Sequence, residues 1–143
     1  MATHYTDAPE VENIATRLIE KYPELEECQD AKVKYIFKVS KKSDKWGSCA
    51  PASGKWKYLT DYDFVIEMWA GVWSDLTDHQ REALTYHELR HIMKVLKIKD
   101  DEVIVKWRTR KHPYEFFLRE FIHYGPWTDQ YKELFEILRG LMG

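Results

Sequence analysis

The segment Thr85-Tyr-His-Glu-Leu-Arg-His-Ile92 constrains this chain more than any other, because its two histidines are four residues apart. On an α-helix, positions i and i+4 are surface neighbours about 6 Å apart, so His87 and His91 present their rings side by side. Glu88 stands beside them without lying between them. The arrangement therefore makes sense only if this stretch is helical and packed along a cleft.

The flanking residues support a helix. Thr77-Asp-His-Gln80 reads as a capping box, with Thr77 as N-cap, Gln80 reaching back, and Asp78 at the positive end of the dipole. At about 100° per residue, Leu84, Tyr86, Leu89, Ile92, Met93, Val95 and Leu96 fall on one broad apolar arc. The pattern predicts a half-buried helix reaching about Leu96, with His87 and His91 on the border of that arc and Arg90 and Lys94 on the polar side. His-Glu-x-x-His at such a border is the signature of zinc hydrolases. Two neutral imidazoles can take adjacent corners of a tetrahedral Zn²⁺, and Glu88 is left to act as general base toward a metal-activated water.

A length of 143 residues suits one domain, and a single zincin-like unit over 1–143 is expected. No apolar run approaches the ~18 residues of a membrane span, and the first residues are polar, so a cytoplasmic protein without membrane partners is expected. Cys28 and Cys49 lack a CxxC spacing and read as reduced thiols. The net charge of −2 argues against a general attraction to nucleic acid, although Lys32, Lys34, Lys38, Lys41, Lys42 and Lys45 cluster locally. A solvated strand face accounts for most of that cluster. Six Trp, nine Tyr and six Phe provide large buried areas, and such rings also line peptide grooves.

Val11, Ile14, Ala15, Leu18 and Ile19 recur at helical spacing, which predicts a first helix over about Ala8–Tyr22, stopped by Pro23. Alternation over Lys32–Ser40 predicts a half-buried strand. Lys41–Gly54 reads as a loop carrying Trp46-Gly-Ser-Cys49. Trp56–Trp73 should hold one or two strands, the clearest being Tyr62–Trp69. Asp100-Asp101 marks a turn and Glu102–Thr109 alternates again. His112-Pro113 opens a helix running to about Tyr124, Gly125-Pro126 ends it, and a last helix starts near Thr128. The sum is an α+β domain, a small sheet packed against the motif helix with flanking helices.

A catalytic zinc site takes three protein ligands, so one more is needed. The downstream candidates are His112, Glu115, Glu120 and His123. If Tyr114, Phe117, Leu118, Phe121 and Ile122 form the buried stripe of their helix, Glu120 and His123 face solvent. Glu115 is already explained as a first-turn carboxylate. His112, at the helix entry after a strand that returns toward the motif helix, is the preferred third ligand.

The segments Tyr62-Asp-Phe-Val-Ile-Glu67, Val72-Trp73 and Leu76–Leu84 running into His87–Ile92, with His112-x-x-Glu-Phe116 and Tyr124-Gly-x-Trp127, together resemble the phage metallopeptidases. The resemblance spans about Thr60–Trp127. A more distant similarity is to SprT-like zincins, in which a downstream histidine completes the site. By position this implies His87, His91 and His112 as zinc ligands and Glu88 as the base. Pro113 departs from the downstream motif, and the Trp46–Cys49 loop and the C-terminal helix lie outside the match.

The leading expectation is a zinc-dependent metallopeptidase, a hydrolase acting on a protein or peptide substrate. Tyr86, Arg90, Tyr114, Tyr124 and His123 are the candidates for a second electrophile, and Phe64–Trp69 is the expected rail for an extended substrate. The alternative is a metal-stabilised host-interaction protein of phage origin without catalysis. A third reading is association with nucleic acid through the lysine cluster with Arg108, Arg110 and Lys111. Oligomeric state is not legible from the sequence.

Overall fold

The computed structural model describes residues 3–41, 45–111, 114–129 and 132, and of 114–118 only the backbone. Its first elements are β1 (His4–Asp7), α1 (Pro9–Lys21), a 3₁₀ helix (Pro23–Asp30), β2 (Val33–Val39) and β3 (Gly47–Pro51). There follow α2 (Lys55–Thr60), β4 (Phe64–Trp69), α3 (Ala70–Asp75), α4 (Asp78–Arg90), β5 (Ile92–Lys99), β6 (Glu102–Thr109) and α5 (Tyr114–Tyr124). The architecture is mixed α+β. Among the described residues no helix is long and apolar enough to cross a membrane.

A four-stranded sheet has the order β1-β2-β4-β3, and β5 with β6 forms a separate two-stranded hairpin. β4 pairs parallel with β2 on one side and antiparallel with β3 on the other. Its alternation explains that central place, since Phe64, Ile66 and Met68 are fully buried while Val65 and Glu67 are half-buried. Both edges of β4 are thus occupied. The strand expected to act as a substrate rail cannot do so, and among the described residues the sheet's edge on this side is β3.

Pro9 opens α1 at its first turn, where a missing N–H costs nothing, and Val11, Ala15 and Leu18 seal it into the core. α1 packs on α4, and Tyr86, Leu89 and Ile92 join the same apolar cluster. One expectation for the middle of the chain needs correction. The loop over Lys41–Gly54 contains β3, whose register runs Gly47↔Met68 to Pro51↔Phe64. Of the stretch Trp56–Trp73, expected to hold one or two strands, one is present as β4, while its start belongs to the helix α2, which ends on Asp61 in the left-handed region.

The motif helix also ends sooner than its apolar pattern suggests. α4 stops at Arg90, and Ile92–Lys99 pairs with Glu102–Thr109 across a tight turn at Asp100 and Asp101. Both aspartates have positive φ, 52° and 63°, which suits the primed turns that match strand twist. Ile92, Val95 and Ile98 are β-branched, and the hairpin offers each a ladder partner that a longer helix would not. Their outer end is exposed, with Leu96 at 61% and Ile98 at 81%. The final helix expected near Thr128 lies outside the described residues for most of its length.

Candidate active site

The start of α4 is built as its sequence implies. Thr77 Oγ1 accepts the Gln80 backbone N–H at 3.1 Å, and Gln80 Oε1 accepts the Thr77 N–H at 3.0 Å. The box fixes the first turn, and the motif follows two turns later. His91 is the C-cap rather than an interior residue, but its φ of −72° and ψ of −17° keep it helical. The i,i+4 geometry therefore survives the change to strand one residue later, and the His87 and His91 rings lie 5.1 Å apart between centroids.

Each ring is held at Nδ1. His87 Nδ1 donates to Glu120 Oε1 at 2.6 Å, and His91 Nδ1 donates to the Arg110 carbonyl at 2.6 Å. A carbonyl can only accept, so His91 carries its proton on Nδ1, and a carboxylate imposes the same tautomer on neutral His87. On both rings the lone pair then belongs to Nε2. Carboxylate or carbonyl anchoring of the far nitrogen is how metal-ligating imidazoles are oriented.

Glu120 therefore corrects the expectation that it faces solvent. It is 0% exposed, on the inner side of α5. Its position could have been read from spacing, because it lies three residues after Phe117 and four before Tyr124, which is itself buried. Ile122, assigned to the buried stripe, is instead 67% exposed. His123 is turned inward too, with Nε2 donating to Glu24 Oε1 at 2.6 Å and its ring stacked on Tyr22. Burial by itself would lower the His87 pKa, but the Glu120 carboxylate outweighs it and holds that pKa above the ordinary value.

Glu88 is 5% exposed. Burial pushes its carboxyl up to about 7, opposed by His87 and reinforced by the charge of Glu120. A carboxyl group near neutrality can both take and give a proton with little driving force lost. The wall facing it is β3. A Cβ built on Gly47 would stand 3.5 Å from Glu88 Oε1, 2.8 Å from Met68 Sδ and 3.2 Å from the Glu67 carbonyl, so the strand start approaches the carboxylate this closely only as glycine. The Trp46–Cys49 segment, left without a role by the sequence, thus borders the site.

Of the candidates for a second electrophile, Tyr86, Arg90 and His123 converge on Glu24. The Tyr86 hydroxyl donates to Glu24 Oε1 at 2.9 Å, and Arg90 donates to the Glu24 carbonyl at 3.0 Å. The Tyr124 hydroxyl donates to Glu82 at 3.2 Å. These bonds tie α4 and α5 to the 3₁₀ helix. Among the described residues no third His, Cys, Asp or Glu completes a three-ligand cluster with His87 and His91. His112 lies outside the described residues, as do the side chains of Tyr114 and Glu115.

A family model described as "Putative phage metallopeptidase" matches residues 3–138. The chain belongs to that family. The match reaches well beyond Thr60–Trp127 and takes in α1, the sheet and the Trp46–Cys49 segment. The family's name implies a metal cofactor and protein substrates, and the donors present suit such an ion. Two imidazoles with anchored Nδ1 atoms favour zinc and its neighbours over Mg²⁺ or Ca²⁺, which prefer oxygen. No curated protein and no solved structure matches the chain.

Proposed function

We propose that this member of the phage metallopeptidase family is a zinc-dependent peptidase with a zincin-like site and works in the cytoplasm. His87 and His91 hold the ion through Nε2, His112 supplies the third ligand, and Glu88 is the general base. The observation that carries this reading is the double anchoring of the motif, Glu120 on His87 and Arg110 on His91, with Glu88 buried beside them. Bound there, zinc would act as a Lewis acid, lowering the pKa of a water and drawing charge from the peptide carbonyl.

The chain's own residues do the rest. Glu88 takes the proton of the attacking water and passes it to the amine as the peptide bond breaks, which regenerates the carboxylate. Met68, Gly47 and the core side of α4 keep bulk water from its flank, so the carboxylate stays basic. The outer edge of β3 is where an extended substrate would add a strand, since β4 has no edge to give.

Metal analysis of protein purified without chelator, paired with Glu88→Gln, tests the reading. About one zinc per chain is expected in both proteins, lost in His87→Ala and His91→Ala, while peptidase activity in Glu88→Gln falls ~10²-fold or more. Full zinc occupancy in either histidine variant would sink the assignment. Loss of the metal from Glu88→Gln would make Glu88 a ligand or a structural group.

A further inference from the structure

A cavity of about 430 Å³ opens where β2 and β4 end and α3 begins, with Lys38, Lys41, Trp46, Trp69, Val72 and Leu76 among its walls. Its size falls in the range that holds a small ligand or one or two side chains. Two indoles, a valine and a leucine make the interior apolar. The charged residues of its lining are two lysines, Lys38 and Lys41, and one acid, Asp75.

Trp46 joins this cavity to the site. Its ring packs edge-on against Trp127 at 5.8 Å, and Trp127 lies 6.3 Å from the His87 ring. Its carbonyl accepts the Trp69 N–H at 3.0 Å, which pins the wall to the end of β4. The next residue is Gly47, where an added Cβ would stand 3.5 Å from Glu88 Oε1. The two ring spacings put Trp46 at most about 12 Å from His87, and one residue of extended chain covers about 3.3–3.6 Å, so a peptide positioned at Glu88 comes to the cavity within three or four residues.

We infer that this cavity is a substrate subsite, taking a large apolar side chain a few residues from the cleaved bond and, through Lys38 and Lys41, a carboxylate just beyond it. The inference rests on the peptidase reading for its substrate but not for its binding chemistry. Indole walls favour an aromatic or long aliphatic side chain, which gains most from leaving water. Lys38 Nζ already lies 4.9 Å above the Trp69 ring, so an ammonium stands at the rim of the apolar space. The carboxylate comes either from a substrate C-terminus or from an Asp or Glu side chain.

Calorimetric binding of short peptides to the Glu88→Gln protein, with and without chelator, tests this. The probes are acetyl-Gly-Phe, acetyl-Gly-Phe-Glu-amide, acetyl-Gly-Phe-amide and acetyl-Gly-Ala. The two carboxylate-bearing Phe peptides should bind best, and the tighter of them identifies the source of the carboxylate. The Ala peptide should bind roughly tenfold or more weakly. Val72→Trp, which fills the cavity, should erase the preference for Phe, with Val72→Phe as the milder filling should the larger ring compromise folding. Lys38→Gln with Lys41→Gln should erase the preference over the amide, a few-fold effect for exposed charges.

Equal binding of Phe and Ala peptides, or a Phe preference untouched by either filling variant, overturns the subsite. Phe-selective binding by the Glu88→Gln protein, together with a zinc-loaded wild-type protein that cleaves no peptide, keeps the subsite while the peptidase reading fails. Cleavage by the wild-type enzyme without Phe preference does the reverse.

Discussion

Glu120 Oε1 stands 2.6 Å from Nδ1 of His87, and Glu120 has no exposed surface at all. A carboxylate is rarely buried this fully unless a partner offsets its desolvation, and here that partner is one of the two motif histidines. The pair ties α5 to α4 across the site. It also gives the His87 ring one tautomer and one orientation, which a metal ligand needs before the ion arrives.

Glu120→Ala should therefore weaken zinc binding by about 10- to 100-fold, with Glu120→Gln in between because an amide still accepts a hydrogen bond. Competition against a chromophoric chelator measures both. Wild-type affinity in Glu120→Ala would show that the contact matters for folding alone.

His112 and His123 should separate cleanly. His112→Ala leaves two histidines and should hold zinc orders of magnitude more weakly. His123 bonds Glu24 instead, so His123→Ala should cost about 1–3 kcal/mol of stability and leave zinc affinity unchanged. A collapse of zinc binding in His123→Ala, or none in His112→Ala, would require a different third ligand.

Gly47→Ala should be destabilising by about 1–3 kcal/mol, because the added methyl meets Met68 Sδ at 2.8 Å and the Glu67 carbonyl at 3.2 Å. Since Glu88 Oε1 is the next neighbour at 3.5 Å, any peptidase activity should fall further than the folded fraction does. Thermal unfolding and activity on the same samples decide it. An unchanged melting temperature would mean that β3 can move away freely.

Glu24 predicts an acid-side loss of stability. Burial alone would raise its pKa, but its own backbone N–H, His123 and Tyr86 donate to the carboxylate and together hold it below the ordinary 4.5. A carboxyl depressed on folding stabilises the protein above its unfolded pKa, and that contribution is lost as pH falls through the folded value. Denaturant midpoints followed from pH 6 down to about pH 3 should drop steeply in the wild type and less so in Glu24→Gln. Parallel curves would assign the acid transition to other groups.

The local rules were enough for the heart of the site. The Thr77–Gln80 box and the His87/His91 pairing each span at most four residues, and such contacts are dictated by helix geometry wherever the helix sits. Residue alternation also located β2, β4 and β6, although only in β4 does a buried face follow the period of two, β6 being mostly exposed. The end of the motif helix was a different matter. Ile92–Leu96 fits an apolar helical arc and a strand equally well, and pairing with β6 chose the strand. The groups that orient the motif come from far along the chain, Arg110 at 19 residues and Glu120 at 33. A buried carboxylate and an exposed one look alike in a sequence. Only the packing of α5 and the hairpin against α4 decided that Glu120 and the Arg110 carbonyl would meet the two imidazoles, since a desolvated acceptor must find a donor where the fold puts it.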